Sequence, residues 1–188
     1  IMLDTSGSMN SKLYSSVQVY YPLDVATDSA GNVYVMEYYN NRIKVFDSSG
    51  AYLRSFGGYG YGCNQWRYAR QFTIYNDEIY VVDTYGRRLL KMSLTGQCIK
   101  LTATLYSYPH SIAINSSRIF VGNTGSSIEK FTTSGMYQSG YSHNSSGYVN
   151  YAWGMAMNSA GNKLLIANYN GNKISEFSVS GASMNYTR

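Results

Sequence analysis

DVATDSAGNVYVMEYYNNRIKVFDSSGAYLRSFG, residues Asp24 to Gly57, alternates short apolar runs with turn chemistry. LDVATD leads through Ser29-Ala30-Gly31-Asn32 into VYVM, and small residues with a glycine are what a tight hairpin turn requires. After EYYNN comes RIKVF, then the turn DSSG, then AYLRSF. None of these runs is long enough for a stable helix, and each is bounded as a strand is bounded. The stretch therefore predicts a small antiparallel sheet of four strands.

The same plan recurs outward from it. DTSG, DSSG, SLTG, TTSG and SVSG each follow a short apolar stretch and end on Gly7, Gly50, Gly96, Gly135 and Gly181. That is a period of about 43 residues, the length of one propeller blade. The second interval reads QFTIYN, EIYVV, RLLKM and QCIKLTA, with Asn76-Asp77 as its hairpin connector. The third reads SIAIN, RIFVG, SIEKF and MYQSGY, and the fourth GMAMN, KLLIAN, KISEF and ASMNYTR. Several of these runs are apolar without alternation, as strands between two packed sheets are. The expected fold is all-β, a β-propeller of four-stranded antiparallel blades in a single domain, residues 1–188. Residues 1–20 read as the end of a preceding blade, and 21–66, 67–108, 109–150 and 151–188 as successive repeats with their linkers.

Asp24 to Gly57 closely resembles a repeat of the NHL β-propeller family: strand, Asp, small-residue-Gly-Asn turn, apolar strand, polar loop ending Asn-x-Arg-Ile, and an aromatic-Asp-x-x-Gly turn. Gly154 to Gly181 repeats the pattern with Lys173 in place of the arginine, while the second and third repeats diverge from it. The resemblance implies six blades in an intact molecule, so four repeats read as a partial ring or a fragment of a six-bladed propeller. An open arc or a smaller closed ring is the alternative.

Composition narrows the function. The chain has 188 residues, with 15 Lys and Arg against 10 Asp and Glu for a formal charge of +5, and charged residues make up only 13%. No apolar run approaches the roughly 20 residues that cross a bilayer, so no membrane insertion is expected in this segment. Two cysteines are too few for a zinc ribbon or an iron–sulfur site. Cys63, in an interblade loop, and Cys98, at the start of an outer strand, are the candidate for one disulfide. Ile1 to Met9 also resembles the Asp-x-Ser-x-Ser metal loop of von Willebrand A domains through Asp4, Ser6 and Ser8. The residues after it lack the amphipathic helix that such a site needs, and Gly7 keeps the propeller register.

In a propeller the loops joining second and third strands share one face with the blade linkers. That rule gathers Tyr38, Tyr39, Tyr85, Arg87 and Tyr169 on one rim, together with Asn40, Thr124 and Asn168. The linker Gly57 to Gln71 adds Tyr59, Tyr61, Arg67 and Arg70, where aromatic faces and forked arginine donors suit a sugar, a base or a partner side chain. Trp66, matching the family's linker aromatic, and Trp153 read as packing residues.

Three sequons, at Asn115, Asn144 and Asn185, are glycosylation candidates. With the low charged fraction and a Cys63–Cys98 bridge, they point to an extracellular or cell-surface setting. The preferred expectation is a rigid module that contacts protein or glycan, with exposed tyrosines available for self-assembly, no catalytic residues, no cofactor and no metal site. One alternative is a single-stranded RNA-binding NHL domain using Arg67, Arg70, Arg87, Arg88 and Lys91. Another is a metal-dependent lyase or hydrolase of propeller type, for which His110 and His143, the only histidines, supply too few ligands in this chain.

Overall fold

A computed structural model describes residues 17–101, 105, 107–142, 148–181 and 183–188. Among the described residues sixteen strands form four antiparallel sheets, each with its strands in chain order. The first blade contains β1 (Pro22–Thr27), β2 (Val33–Glu37), β3 (Arg42–Phe46) and β4 (Tyr52–Gly57). The second contains β5 (Gln71–Tyr75), β6 (Glu78–Asp83), β7 (Arg88–Ser93) and β8 (Cys98–Leu101). The third is β9 (Pro109–Ile114), β10 (Arg118–Asn123), β11 (Ser127–Thr132) and β12 (Tyr137–Ser142), and the fourth is β13 (Ala152–Met157), β14 (Lys163–Asn168), β15 (Lys173–Ser180) and β16 (Ser183–Tyr186). Among the described residues no helix is long and apolar enough to cross a membrane. The first sixteen residues, with Asp4, Ser6 and Ser8, lie outside the described part.

Side chains close the turns that mark the repeat. Asp47 Oδ1 accepts from the backbone amides of Ser49 and Ala51, both at 2.9 Å, and Ser93 Oγ and Thr132 Oγ1 take the same role toward Gln97 and Met136 at 3.1 Å. The glycine that ends the first of these turns, Gly50, has φ +90°, which a side chain disfavours. Asn76 and Asp77 both have φ above +50°, as a two-residue hairpin between right-twisted strands needs.

Blades are joined face to face by three apolar layers. Tyr34, Met36, Ile43 and Val45 of the first blade meet Phe72, Ile79, Val81 and Leu90 of the second. Tyr80, Val82 and Leu89 then meet Ile112, Ile119 and Val121, and Ala113, Phe120 and Ile128 meet Met155, Leu164 and Ile166. Between the innermost strands these layers are reinforced by polar straps from one register position. Asp24 Oδ2 accepts from the Phe72 amide at 2.9 Å, Gln71 Oε1 from the Ile112 amide at 2.7 Å, and Ser111 Oγ donates to the Ala152 carbonyl at 2.8 Å.

The arc ends on an uncovered face. Leu165 holds the register position of Tyr34, Tyr80 and Phe120, which are at most 1% exposed, yet Leu165 is 39% exposed. This is the pattern of a partial propeller: the first three blades each bury that position against a successor.

Candidate functional site

Each blade enters its innermost strand through an equivalent triplet that opens on tyrosine followed by Pro or Ala: Tyr21-Pro22-Leu23, Tyr68-Ala69-Arg70, Tyr108-Pro109-His110 and Tyr151-Ala152-Trp153. In three of the blades the pairing skips the third residue of the triplet, so Leu23, His110 and Trp153 are bulge residues. Arg70 stands immediately before β5. A bulge re-aims a side chain out of the sheet face, and here the four equivalent side chains line one cavity of about 150 Å³, with Asp24 and Gln71. Tyr21, Tyr68 and Tyr151 pay for the turn with φ of +48°, +51° and +59°, a left-handed conformation uncommon for an aromatic residue.

The triplets also fasten the rim. Tyr38 and Tyr169, in the turns after β2 and β14, donate their amides to the carbonyls of Tyr21 and Tyr151 at 3.1 and 3.0 Å; Thr124 donates to Tyr108 at 3.1 Å. In the second blade Tyr85 donates to Arg67, one residue before Tyr68. The rings then touch in sequence: Tyr21 with Tyr39, Tyr39 with Tyr38, Tyr38 with Tyr68, Tyr68 with Tyr85, and Tyr85 with Tyr108, at centroid distances from 4.8 to 5.7 Å. Across the cavity Trp153 is stacked on Tyr169 at 5.1 Å and on Tyr151 at 5.6 Å.

Arg70 is where these parts meet. Its guanidinium carbon lies 5.6 Å from the Tyr38 ring centre and 5.4 Å from that of Trp153. Its Nε is buried without a hydrogen-bond partner. Two further cavities of about 340 Å³ each share Arg70, one toward Tyr38 and Tyr39 and one toward Thr84, Tyr108 and Tyr151. His110 is 5% exposed, packs against Trp153 with the rings tilted and their centres 5.1 Å apart, and has Nε2 3.2 Å from the Tyr151 hydroxyl. Burial first, and the Arg70 charge second, push its pKa down to about 4, so the ring is neutral near pH 7. Burial also raises the pKa of Asp24, outweighing the amides of Phe72 and Val25 that hold its carboxylate.

Of the residues expected on this rim, Tyr38, Tyr39, Tyr85, Tyr169 and Arg70 come together, and Tyr59 joins through Tyr68 at 5.8 Å. Tyr61 and Arg67 form a separate patch on the linker, with the guanidinium 4.1 Å from the ring centre. Arg87 is spent on structure, donating through Nε and Nη2 to the Leu105 carbonyl. Asn168 turns inward: it is 3% exposed, takes the Asn150 amide on Oδ1 and donates to Ser175 Oγ. Trp66 is fully buried, whereas Trp153 is 46% exposed and faces the cavity, so its reading as a packing residue is corrected. The triplet tyrosines went unread, although their recurrence at Tyr21, Tyr68, Tyr108 and Tyr151 was present in the sequence.

The remaining candidates sort by burial. Cys63 and Cys98 are bonded, with Cα atoms 5.5 Å apart, so the interblade loop does reach the outer strand. Asn115 is buried, with Oδ1 accepting from the amides of Ser117 and Arg118 and Nδ2 donating to the Gly161 carbonyl at 2.9 Å. Asn185 is exposed on β16, and Asn144 and His143 lie outside the described residues. The cations of the RNA alternative are largely engaged: Arg88 with Asp83 at 2.8 Å, Lys91 with Glu78 at 2.7 Å, and Arg67 with the Tyr85 carbonyl. Among the described residues no three His, Cys, Asp or Glu side chains come together as a metal site.

A family model described as DUF5128, 6-bladed beta-propeller, matches residues 17–113. What stands of the NHL likeness is therefore the propeller architecture. No curated protein sequence matches the chain. Among solved structures, a streptogramin B lyase is similar with a TM-score of 0.71 and 18% identity, over 91% of this chain and 55% of that one. A catalytically inactive histidine-to-alanine variant of virginiamycin B lyase from Staphylococcus aureus, solved with quinupristin, has a TM-score of 0.70 and 18% identity over 88% and 54%. The computationally designed Ika4 protein has a TM-score of 0.68 and 12% identity over 91% and 99%.

The chain thus spans about half the length of those lyases. At such identities the likeness carries the fold. It nonetheless overturns the lean away from an enzyme: the architecture taken as that of a non-catalytic module is, over about nine tenths of this chain, one that catalytic lyases also have.

Proposed function

The chain belongs to the DUF5128 family of 6-bladed β-propellers, and from that premise we propose that its axial cavity is the active site of a propeller-type lyase. One observation carries the reading: four structurally equivalent positions, one per blade, deliver Leu23, Arg70, His110 and Trp153 to one cavity. Recurrent packing does not require an arginine and a histidine at such positions, whereas elimination has a use for both.

An eliminating enzyme must take a proton from carbon, stabilise the negative charge that develops, and return a proton to the leaving atom. Neutral His110 supplies a proton acceptor, and the Tyr151 hydroxyl 3.2 Å away supplies a donor. Arg70, which lines the cavity, supplies the positive charge. An anion bound at Arg70 also offsets the charge that depresses the imidazole, so substrate binding makes His110 a better base. The described residues do not assemble a three-ligand metal centre, so no step is routed through a metal. The lyase solved with quinupristin motivates quinupristin as one substrate to test.

Incubation of the protein with quinupristin and with acidic polysaccharides, followed by mass spectrometry for unsaturated products, tests the reading. Product that disappears in His110→Ala is expected. Absence of product from every substrate, or product unchanged in His110→Ala, would overturn it.

A second reading is supported by the exposure of Tyr39, Tyr59 and Tyr169, each at least 60%. Such a strip suits contact with a glycan or protein surface, and the Cys63–Cys98 bond favours an oxidising, extracellular setting for it. Binding to a glycan array that survives in His110→Ala and fails in Tyr39→Ala/Tyr169→Ala would favour this use of the face.

A further inference from the structure

The geometry around Arg70 points to a ligand class, and we infer that the axial site takes an acidic saccharide with a hexuronic carboxylate seated on Arg70. This inference rests on the eliminating site proposed above and names its substrate.

Three features select the class. The three cavities that share Arg70 adjoin one another, which suits a ligand of several linked units better than a single compact molecule. Their walls pair aromatic faces, Trp153 and Tyr38, with the short polar side chains Gln71, Thr84 and Thr124. A sugar ring has the matching surface, with C–H faces that stack on aromatics and hydroxyl edges that hydrogen-bond. Finally, Arg70 is the one residue that lines all three cavities, and its planar guanidinium is a forked donor from which a carboxylate accepts in two parallel bonds. A neutral sugar offers that fork only single bonds to uncharged hydroxyl oxygens, without charge assistance.

The same carboxylate makes elimination feasible. Bound to Arg70, it acidifies the C5–H bond next to it. His110 takes that proton, the C–H electron pair becomes the C4–C5 double bond, and the C4–O glycosidic bond breaks. The departing oxygen receives the proton of the Tyr151 hydroxyl, and proton return from His110 to Tyr151, 3.2 Å apart, restores both groups. No oxidant or co-reactant is consumed.

Calorimetric titration with tetragalacturonate, with maltotetraose as the neutral control, tests the ligand class; ultraviolet absorbance of an unsaturated uronide follows the reaction separately. Tetragalacturonate is expected to bind, maltotetraose to bind at least tenfold more weakly, and Arg70→Gln to remove the difference. Arg118→Gln, which removes one positive charge at the opposite ends of the strands, is expected to bind as the wild type does. Binding without unsaturated product supports the ligand class and refutes the eliminating reading. Equal affinity for the two saccharides, or undiminished uronide binding in a folded Arg70→Gln variant, overturns the ligand class. So does turnover of quinupristin that tetragalacturonate does not inhibit.

Discussion

Tyr151 and His110 face each other with hydroxyl and Nε2 3.2 Å apart, and the imidazole is closed in by the tilted Trp153 ring and by the Arg70 charge beside it. An unfolded histidine titrates near 6.5, while in the folded protein burial pushes this one down to about 4. Between those values the unfolded chain binds the extra proton, so stability falls as pH drops from about 6.5 toward 4. Urea midpoints measured across that range are expected to fall more steeply for the wild type than for His110→Gln. Parallel curves would mean that the imidazole is not held neutral.

The linker that carries Arg67, Tyr68 and Arg70 is anchored by a buried ion pair. Asp83 accepts from Arg88 Nε at 2.8 Å and from the amides of Arg67 and Gly86, and Arg88 Nη2 donates onward to the Gln65 carbonyl at 2.8 Å. Asp83→Ala leaves an uncompensated buried guanidinium and is expected to cost about 3–5 kcal/mol in urea unfolding. The double variant Asp83→Ala/Arg88→Met should recover part of that loss. No recovery would show that Asp83 acts through the amides alone.

Cys63–Cys98 closes a loop with a sequence separation of 35 around the same linker. Loop-closure entropy puts its stabilisation at roughly 3–4 kcal/mol. Cys63→Ser/Cys98→Ser is expected to keep the β-sheet circular dichroism and lower the urea midpoint accordingly. An unchanged midpoint would mean that the packing around Trp66 holds the linker without the bond.

Gly57 has φ +111°, and a Cβ there would stand 2.4 Å from the Trp66 ring and 2.7 Å from the Asn41 carbonyl oxygen. Neither the fully buried indole nor the backbone can yield. Gly57→Ala is expected to destabilise the protein by at least about 2 kcal/mol in thermal or urea unfolding.

The sequons separate by the same criterion of access. Asn185 is exposed, whereas the Asn115 amide is buried and already donates to Gly161. Peptide mapping of protein secreted from a glycosylating host should find sugar on Asn185 and none on Asn115. Sugar on Asn115 would mean modification before that blade closes.

The blades were legible because glycine turns mark their period: Gly50 and Gly96 need conformations that other residues avoid, and that need is written in the sequence. The rim was partly legible, since loop position alone put Tyr38, Tyr85 and Tyr169 on one face. The cavity was not. Of its key residues Arg70 was expected on the rim, but His110 and Trp153 sit at bulges, where the two-residue alternation that reveals a strand breaks, so His110 read as a stray imidazole and Trp153 as packing. Asn168 misled in the opposite sense, because its polarity suggested solvent while its amide satisfies the backbone of Asn150. The Tyr-Pro and Tyr-Ala steps before each inner strand were the available signal.

Trp153 offers the most direct measurement of whether the axial cavity is the binding site, because the only other tryptophan, Trp66, is fully buried. Acrylamide quenching of tryptophan emission then reports mainly on Trp153. Saturating tetragalacturonate is expected to protect it in the wild type and to leave quenching unchanged in Arg70→Gln. Calorimetric binding with no protection of Trp153 would place the ligand elsewhere and contradict the assignment.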